Sequence, residues 1–137
     1  MRRIAGITAG MIALAIAAVG CSGGAPNFEQ IKGLPSDLPA ASIAPEDIGQ
    51  PMAFAHDGRL IVVVWGSSSC RPAPTDFDTS SPVATITFAP DGGGARACTA
   101  DLAPTSYVLP ASVFGGSIPA KIVTVVDGAR STVTVAK

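Results

Sequence analysis

Four side chains with chemical potential stand together at Ser67, Ser68, Ser69 and Cys70, closing the run "LIVVVWGSSSC". A serine nucleophile needs a base within hydrogen-bond reach and a third group to orient that base. The chain holds a single histidine, His56, followed directly by Asp57. A triad would therefore join His56 to Ser67, Ser68 or Ser69 and to an aspartate such as Asp101. However, "WGSSSC" lacks the G-x-S-x-G spacing of a nucleophile elbow, which also requires a strand-to-helix turn. Serines before a cysteine commonly satisfy local backbone groups in a corner. The stretch reads as such a corner, with a small hydrolase using His56 and one of the serines as the alternative.

Other chemistries find fewer residues still. Met52, His56 and a cysteine could approach copper, but a blue-copper site takes two histidines and a cysteine. Zinc needs clustered Cys and His at ligand spacing, and no C-x-x-C is present for a thioredoxin-like motif. Asp76, Asp78 and Asp91 do not form the D-x-[DN]-x-[DN]-G pattern of a calcium loop. "DGGG" at 91–94 lacks the spacing and context of a phosphate loop and reads as a hairpin tip. The expectation is a protein without metal or cofactor, and not an enzyme.

The opening "MRRIAGITAGMIALAIAAVGCSGG" sets two arginines before an uncharged segment from Ile4 to Gly20 and then a cysteine. These are the n-region and h-region of an export signal. The apolar segment falls short of the roughly 20 residues of a membrane span, and no basic cluster follows to stop transfer. "AVGC" (Ala18, Val19, Gly20, Cys21) resembles the lipobox of bacterial lipoproteins, with Ala18 where the family most often has leucine. The resemblance implies that residues 1–20 are removed and that Cys21 is acylated and becomes the N-terminus. A diacylglyceryl group supplies the two chains that stable anchoring needs. Without Arg2 and Arg3, seven basic side chains face ten acidic ones, a net charge near −3. No basic patch remains for nucleic acid.

Residues 21–45 are rich in Gly, Ser, Ala and Pro without a period of 2 or 3.6, as in a flexible linker or stalk. Within it, Phe28 to Leu34 could instead pack on the domain. Residues 46–137 read as one β-rich domain. In "VATITF", Ala84, Ile86 and Phe88 share one face while Val83, Thr85 and Thr87 share the other. "KIVTVV" and "STVTVA" flank Asp127 and Gly128, and "MAFAH" and "RLIVVVW" flank Asp57 and Gly58, so both Asp-Gly pairs predict hairpins. "RLIVVVW" is apolar on both faces and so should be central. "ACTAD" and "TSYVL" complete the set, and no helical stripe of ten residues appears. The fold class is all-β: a small antiparallel sandwich or barrel of about six or seven strands.

With Cys21 assigned to lipid, Cys70 and Cys98 remain as a pair in an oxidising compartment, where a disulfide is expected. Trp65, Tyr107 and Phe114 are the candidate binding aromatics, and the loops 66–77 and 111–119 are the candidate binding surface on a rigid scaffold. The lipobox-like start, the Pro/Ala/Gly spacer, "VVVWGSSSC" and "CTADLAPTSYVLP" resemble the layout of small lipoproteins of high-GC Gram-positive bacteria. That resemblance implies an extracytoplasmic, lipid-anchored location and a stapled fold, and no activity. The expected role is non-enzymatic binding or structural support at the cell envelope, with an envelope protein or polymer as partner.

Overall fold

The computed structural model describes residues 26–38, 43–91 and 97–137. Its strands are β1 (Glu29–Lys32), β2 (Met52–His56), β3 (Arg59–Gly66), β4 (Pro72–Asp78), β5 (Thr85–Pro90), β6 (Ala103–Pro110), β7 (Lys121–Val126) and β8 (Ala129–Ala136). The other regular elements among the described residues are two short 3-10 turns, Pro45–Asp47 and Ala111–Phe114. Cys21 and the signal-like segment lie outside the described residues.

The two Asp-Gly pairs form the expected turns. Asp57 and Gly58 have φ of 48° and 70°, and Asp127 and Gly128 have φ of 49° and 80°. Two successive left-handed residues match the twist of the strands they join, giving the β2–β3 and β7–β8 hairpins. β4 and β5 make a third antiparallel pair, with an irregularity between Pro74 and Asp76.

One mixed sheet results, in the order β1-β6-β3-β2-β8-β7-β5-β4, curled into half a barrel. The all-β class holds, while the expected wholly antiparallel pairing in a sandwich or barrel of about six or seven strands is corrected to a mixed sheet of eight among the described residues. The parallel pairs, β2 with β8 and β5 with β7, fall where separate hairpins abut. Alternation and turn residues specify each hairpin internally, whereas the way hairpins meet depends on long-range packing.

β3 is central, between β6 and β2, and Leu60 to Val64 are almost fully buried. Leu60, Val62 and Val64 join the inner cluster with Ile86, Phe88, Tyr107, Leu109 and Ile122. Ile61 and Val63 join an outer cluster with Met52, Phe54 and Val108, covered by Ile31, Leu38, Ile43 and Trp65. Leu38 and Ile43, from the connection between β1 and β2, therefore help cover the outer face, which is why β3 carries no polar alternation.

β1 lies inside the segment expected to be a flexible linker, so the ordered fold begins before residue 46. It pairs with β6 from Glu29 opposite Val108 to Lys32 opposite Thr105. The Ser106 hydroxyl donates to the Gly33 carbonyl at 2.7 Å, and the Gly33 N–H donates to the Pro104 carbonyl at 3.1 Å. β4 replaces most of the expected loop 66–77. Proline is compatible with an edge strand because one row of its N–H groups needs no partner, and β4 is an edge holding Pro72 and Pro74. Conversely, residues 97–101 of "ACTAD" form no strand.

Thr105 and Thr124 are fully buried, yet neither hydroxyl has a hydrogen-bond partner among the described residues. Burying an unpaired hydroxyl costs about 1 to 3 kcal/mol by mutational scales. Thr124→Val, which keeps the shape and removes the hydroxyl, is expected to raise stability by up to about 1 kcal/mol in denaturant unfolding. A loss of stability would reveal a partner for that hydroxyl.

Candidate functional site

β3 ends at Gly66, where the chain must turn tightly back into β4. A Cβ on Gly66 would lie 2.6 Å from Cδ of Pro72, so the position admits no side chain without displacing that ring. The turn places Ser67, Ser68 and Ser69 beside residues 97–101, and Cys70 is bonded to Cys98 with their Cα atoms 5.5 Å apart. The expected disulfide is therefore present, and "GSSSC" is the corner it staples.

Three serines converge on one threonine. The Thr99 hydroxyl lies 2.8 Å from Ser67 Oγ, 3.3 Å from Ser68 Oγ and 3.2 Å from Ser69 Oγ. It donates to the Asp101 carboxylate, which also accepts from the Ser68 N–H at 3.1 Å. The Thr99 N–H donates to Ser69 Oγ at 2.9 Å, closing the network around the disulfide.

Bonds from Ser68 and Thr99 hold the Asp101 carboxyl well below the usual carboxylate range, at about 2. A carboxylate that weakly basic is poorly suited to drawing a proton from serine at neutral pH. Because the folded value is depressed, its stabilising contribution is present above the unfolded pKa of about 3.9 and is lost as pH falls through about 2. Carboxyl NMR is expected to show Asp101 still ionised near pH 3, with its midpoint rising in Thr99→Val. An Asp101 midpoint near 4 in the unmodified protein would mean that the network does not hold in solution.

His56 is not part of this corner. It pairs with Arg59 at the far end of β3, and the eight steps from Arg59 to Ser67 span about 25 Å at strand rise. The His56–serine pair of the hydrolase alternative is thus separated, far beyond the roughly 3 Å of proton transfer. His56 Nε2 instead lies 3.4 Å from Asp37 Oδ2 and 3.4 Å from Asp57 Oδ2, and Arg59 approaches Asp37 at 3.8 Å. These contacts tie the outer cover to the β2–β3 turn. Among the described residues, no group of three His, Cys, Asp or Glu is arranged to hold a metal ion.

The three candidate aromatics have different fates. Tyr107 is only 2% exposed, which overturns its assignment to a binding surface. On β6 its odd-numbered neighbours face the curl, so the ring crosses the interior and its hydroxyl donates to the Pro72 carbonyl at 2.6 Å. Burial, with Asp91 adding and Arg71 opposing, pushes the phenol up to about 12, so it remains a donor. Trp65 is half-buried against the outer cluster, with its indole N–H unpartnered among the described residues. It borders a shallow cleft with Gln50, Pro51, Val126, Ala129 and Ser131.

Phe114 is half-buried, and it stands in the wall of a cleft of about 330 Å³ at the end of the half-barrel opposite the disulfide. Thr79, Ser81 and Pro82 form one side of that cleft, and Val113, Phe114 and Ser117 form the other. Of the two candidate loops, 111–119 therefore does line a concavity. The sequence reading held Phe28 only in its alternative, in which 28–34 packs on the domain, and it missed Phe77. Phe28 meets Phe77 edge-on at 6.1 Å and Tyr107 at 6.2 Å, and Phe77 meets Phe114 at 5.7 Å. Phe28 precedes β1 and Phe77 lies on β4, so rings bridge the two sheet edges where no strand pairing closes the curl. Phe28, Glu29, Gln30 and Ile31 put one apolar and one polar residue on each face, so no period-2 pattern marked the stretch as a strand.

Compared with protein-family models, with curated proteins and with solved structures, the chain matches none of them.

Proposed function

We propose that this protein is a lipid-anchored, extracytoplasmic module that binds a partner or supports structure at the cell envelope, without chemistry of its own. The observation that carries this reading is the Cys70–Cys98 disulfide. It uses two of three cysteines, leaving Cys21 as the single thiol, and Cys21 is where the lipobox-like "AVGC" places acylation. A disulfide is also what an oxidising compartment permits. The serine corner supports the non-enzymatic part, since its hydroxyls bond to one another and its carboxylate is a weak base.

Intact mass of the protein recovered from its own membrane fraction, before and after reduction and alkylation, tests the reading. The expected result is a chain starting at Cys21 with a diacylglyceryl adduct, and two thiols that appear only after reduction. A chain that retains residues 1–20, or a free Cys21 thiol, would overturn the anchored reading.

A further inference from the structure

We infer that the half-barrel stands on its membrane with the Phe114 cleft toward the lipid headgroups and the disulfide corner pointing away. This rests on the anchored reading above and assigns the surface that meets the bilayer. The point where the chain enters the fold sets the polarity. Glu29 is opposite Val108, and Pro110 is opposite Arg59 beside the β2–β3 turn. The ordered chain thus enters at the end holding His56 and Phe114, and Lys32 leaves toward the serine corner.

Tether length makes the polarity matter. Because Phe28 is already packed between Phe77 and Tyr107, the tether from Cys21 is seven residues, which reach about 25 Å at most when fully extended. A stalk running to residue 45 would have let the domain turn freely. With the shorter one, the entry end stays within about 25 Å of the headgroups, and the disulfide corner lies a strand length, about 25 Å, farther along the sheet.

The chemistry of the entry end fits that neighbour. The loop after β6, "ASVFGGSIPA", and the connection between β4 and β5, "TSSPVA", contain no charged residue. They present Phe114, Val113 and Pro82 among the hydroxyls of Thr79, Ser81 and Ser117. An apolar ring such as Phe114 suits the boundary between headgroups and acyl chains. An uncharged face also allows a chain of net negative charge to approach an anionic leaflet without repulsion. Of the ionic side chains at this end, His56 and Arg59 lie with Asp37 and Asp57, and Asp78 accepts from the Ser80 N–H, while Glu29, Lys121 and Lys137 are exposed, two cations to one anion. The opposite end instead exposes Ile48 and Leu102, at 53% and 57%.

The test couples chain 21–137, disulfide intact, through Cys21 to a maleimide phospholipid in vesicles of mixed zwitterionic and anionic lipid. Hydroxyl-radical footprinting then compares coupled with uncoupled protein. Oxidation of Phe114 and Ile118 is expected to fall severalfold on coupling, while Ile48 and Leu102 are unchanged. Trp65, near the far end, should keep its fluorescence in the presence of headgroup-spin-labelled lipid. Equal oxidation at both ends, or protection of Ile48 and Leu102, would overturn the orientation. Chemical coupling does not depend on cellular acylation, so a negative footprint counts against this orientation. A missing adduct in the native mass counts against the anchor.

Discussion

Replacing Cys70 and Cys98 together by alanine is expected to lower stability by about 3 to 4 kcal/mol, the chain-entropy cost of reopening a loop of this length. The pair is separated by 28 residues, and for a domain of this size the loss corresponds to a fall in Tm of about 10 to 20 °C. Alanine is the informative replacement because Cys70 is buried and a serine there would add an unpaired hydroxyl. The effect should be uneven across the molecule. Residues 97–101 hold no strand and are fixed by the disulfide and by the hydroxyls around Thr99. Amide exchange should therefore accelerate there well before β3 and β6 are affected. A loss below about 1 kcal/mol would assign the corner to the Ser67–Ser69–Thr99–Asp101 network, with the disulfide redundant.

The difference between what was legible and what was not follows the range of the interactions. Asp57-Gly58 and Asp127-Gly128 announce their hairpins because the left-handed backbone they adopt is a property of two adjacent residues. The faces of β5 and the double-sided burial of β3 were legible for the same reason, since period and apolarity are written along one strand. β1 and β4 were hidden because each holds its place through distant neighbours. Phe28 and Phe77 find each other across nearly fifty residues of chain, and Pro72 and Pro74 make β4 resemble a loop unless its edge position is known.

The candidate site divides in the same way. The disulfide was accessible through cysteine parity, but the role of Thr99 was not, because nothing local marks a threonine on which three serines converge. Tyr107 misled for a physical reason: a tyrosine in a strand is as suited to a core as to a surface, and its fate depends on whether a carbonyl awaits its hydroxyl. Pro72, itself in a stretch read as loop, supplies that carbonyl.

Phe88→Ala tests whether the curled sheet behaves as a packed interior or as a flexible sheet with one apolar face. Phe88 on β5 is 1% exposed and lies 5.6 Å from Tyr107 on β6, with rings tilted by 46°. β5 and β6 are not neighbours, since β3, β2, β8 and β7 stand between them in the sheet. The ring pair therefore spans the curl, and its removal leaves a void that adjacent strands cannot close by sliding together. The Tyr107 hydroxyl bond to Pro72 and the pairing of β5 with both β4 and β7 further resist collapse. The expected cost is about 3 to 5 kcal/mol, the range for a large aromatic removed from a core that cannot relax. The adjacent Thr87→Ala, on the other face of the same strand, should cost below about 1 kcal/mol, because it deletes a partly exposed methyl and hydroxyl. Guanidinium unfolding of the pair measures the contrast directly. If Phe88→Ala costs little more than Thr87→Ala, the two limbs of the sheet are not packed through Phe88 and Tyr107. The edge rings of Phe28, Phe77 and Phe114 would then be the contacts that maintain the curl.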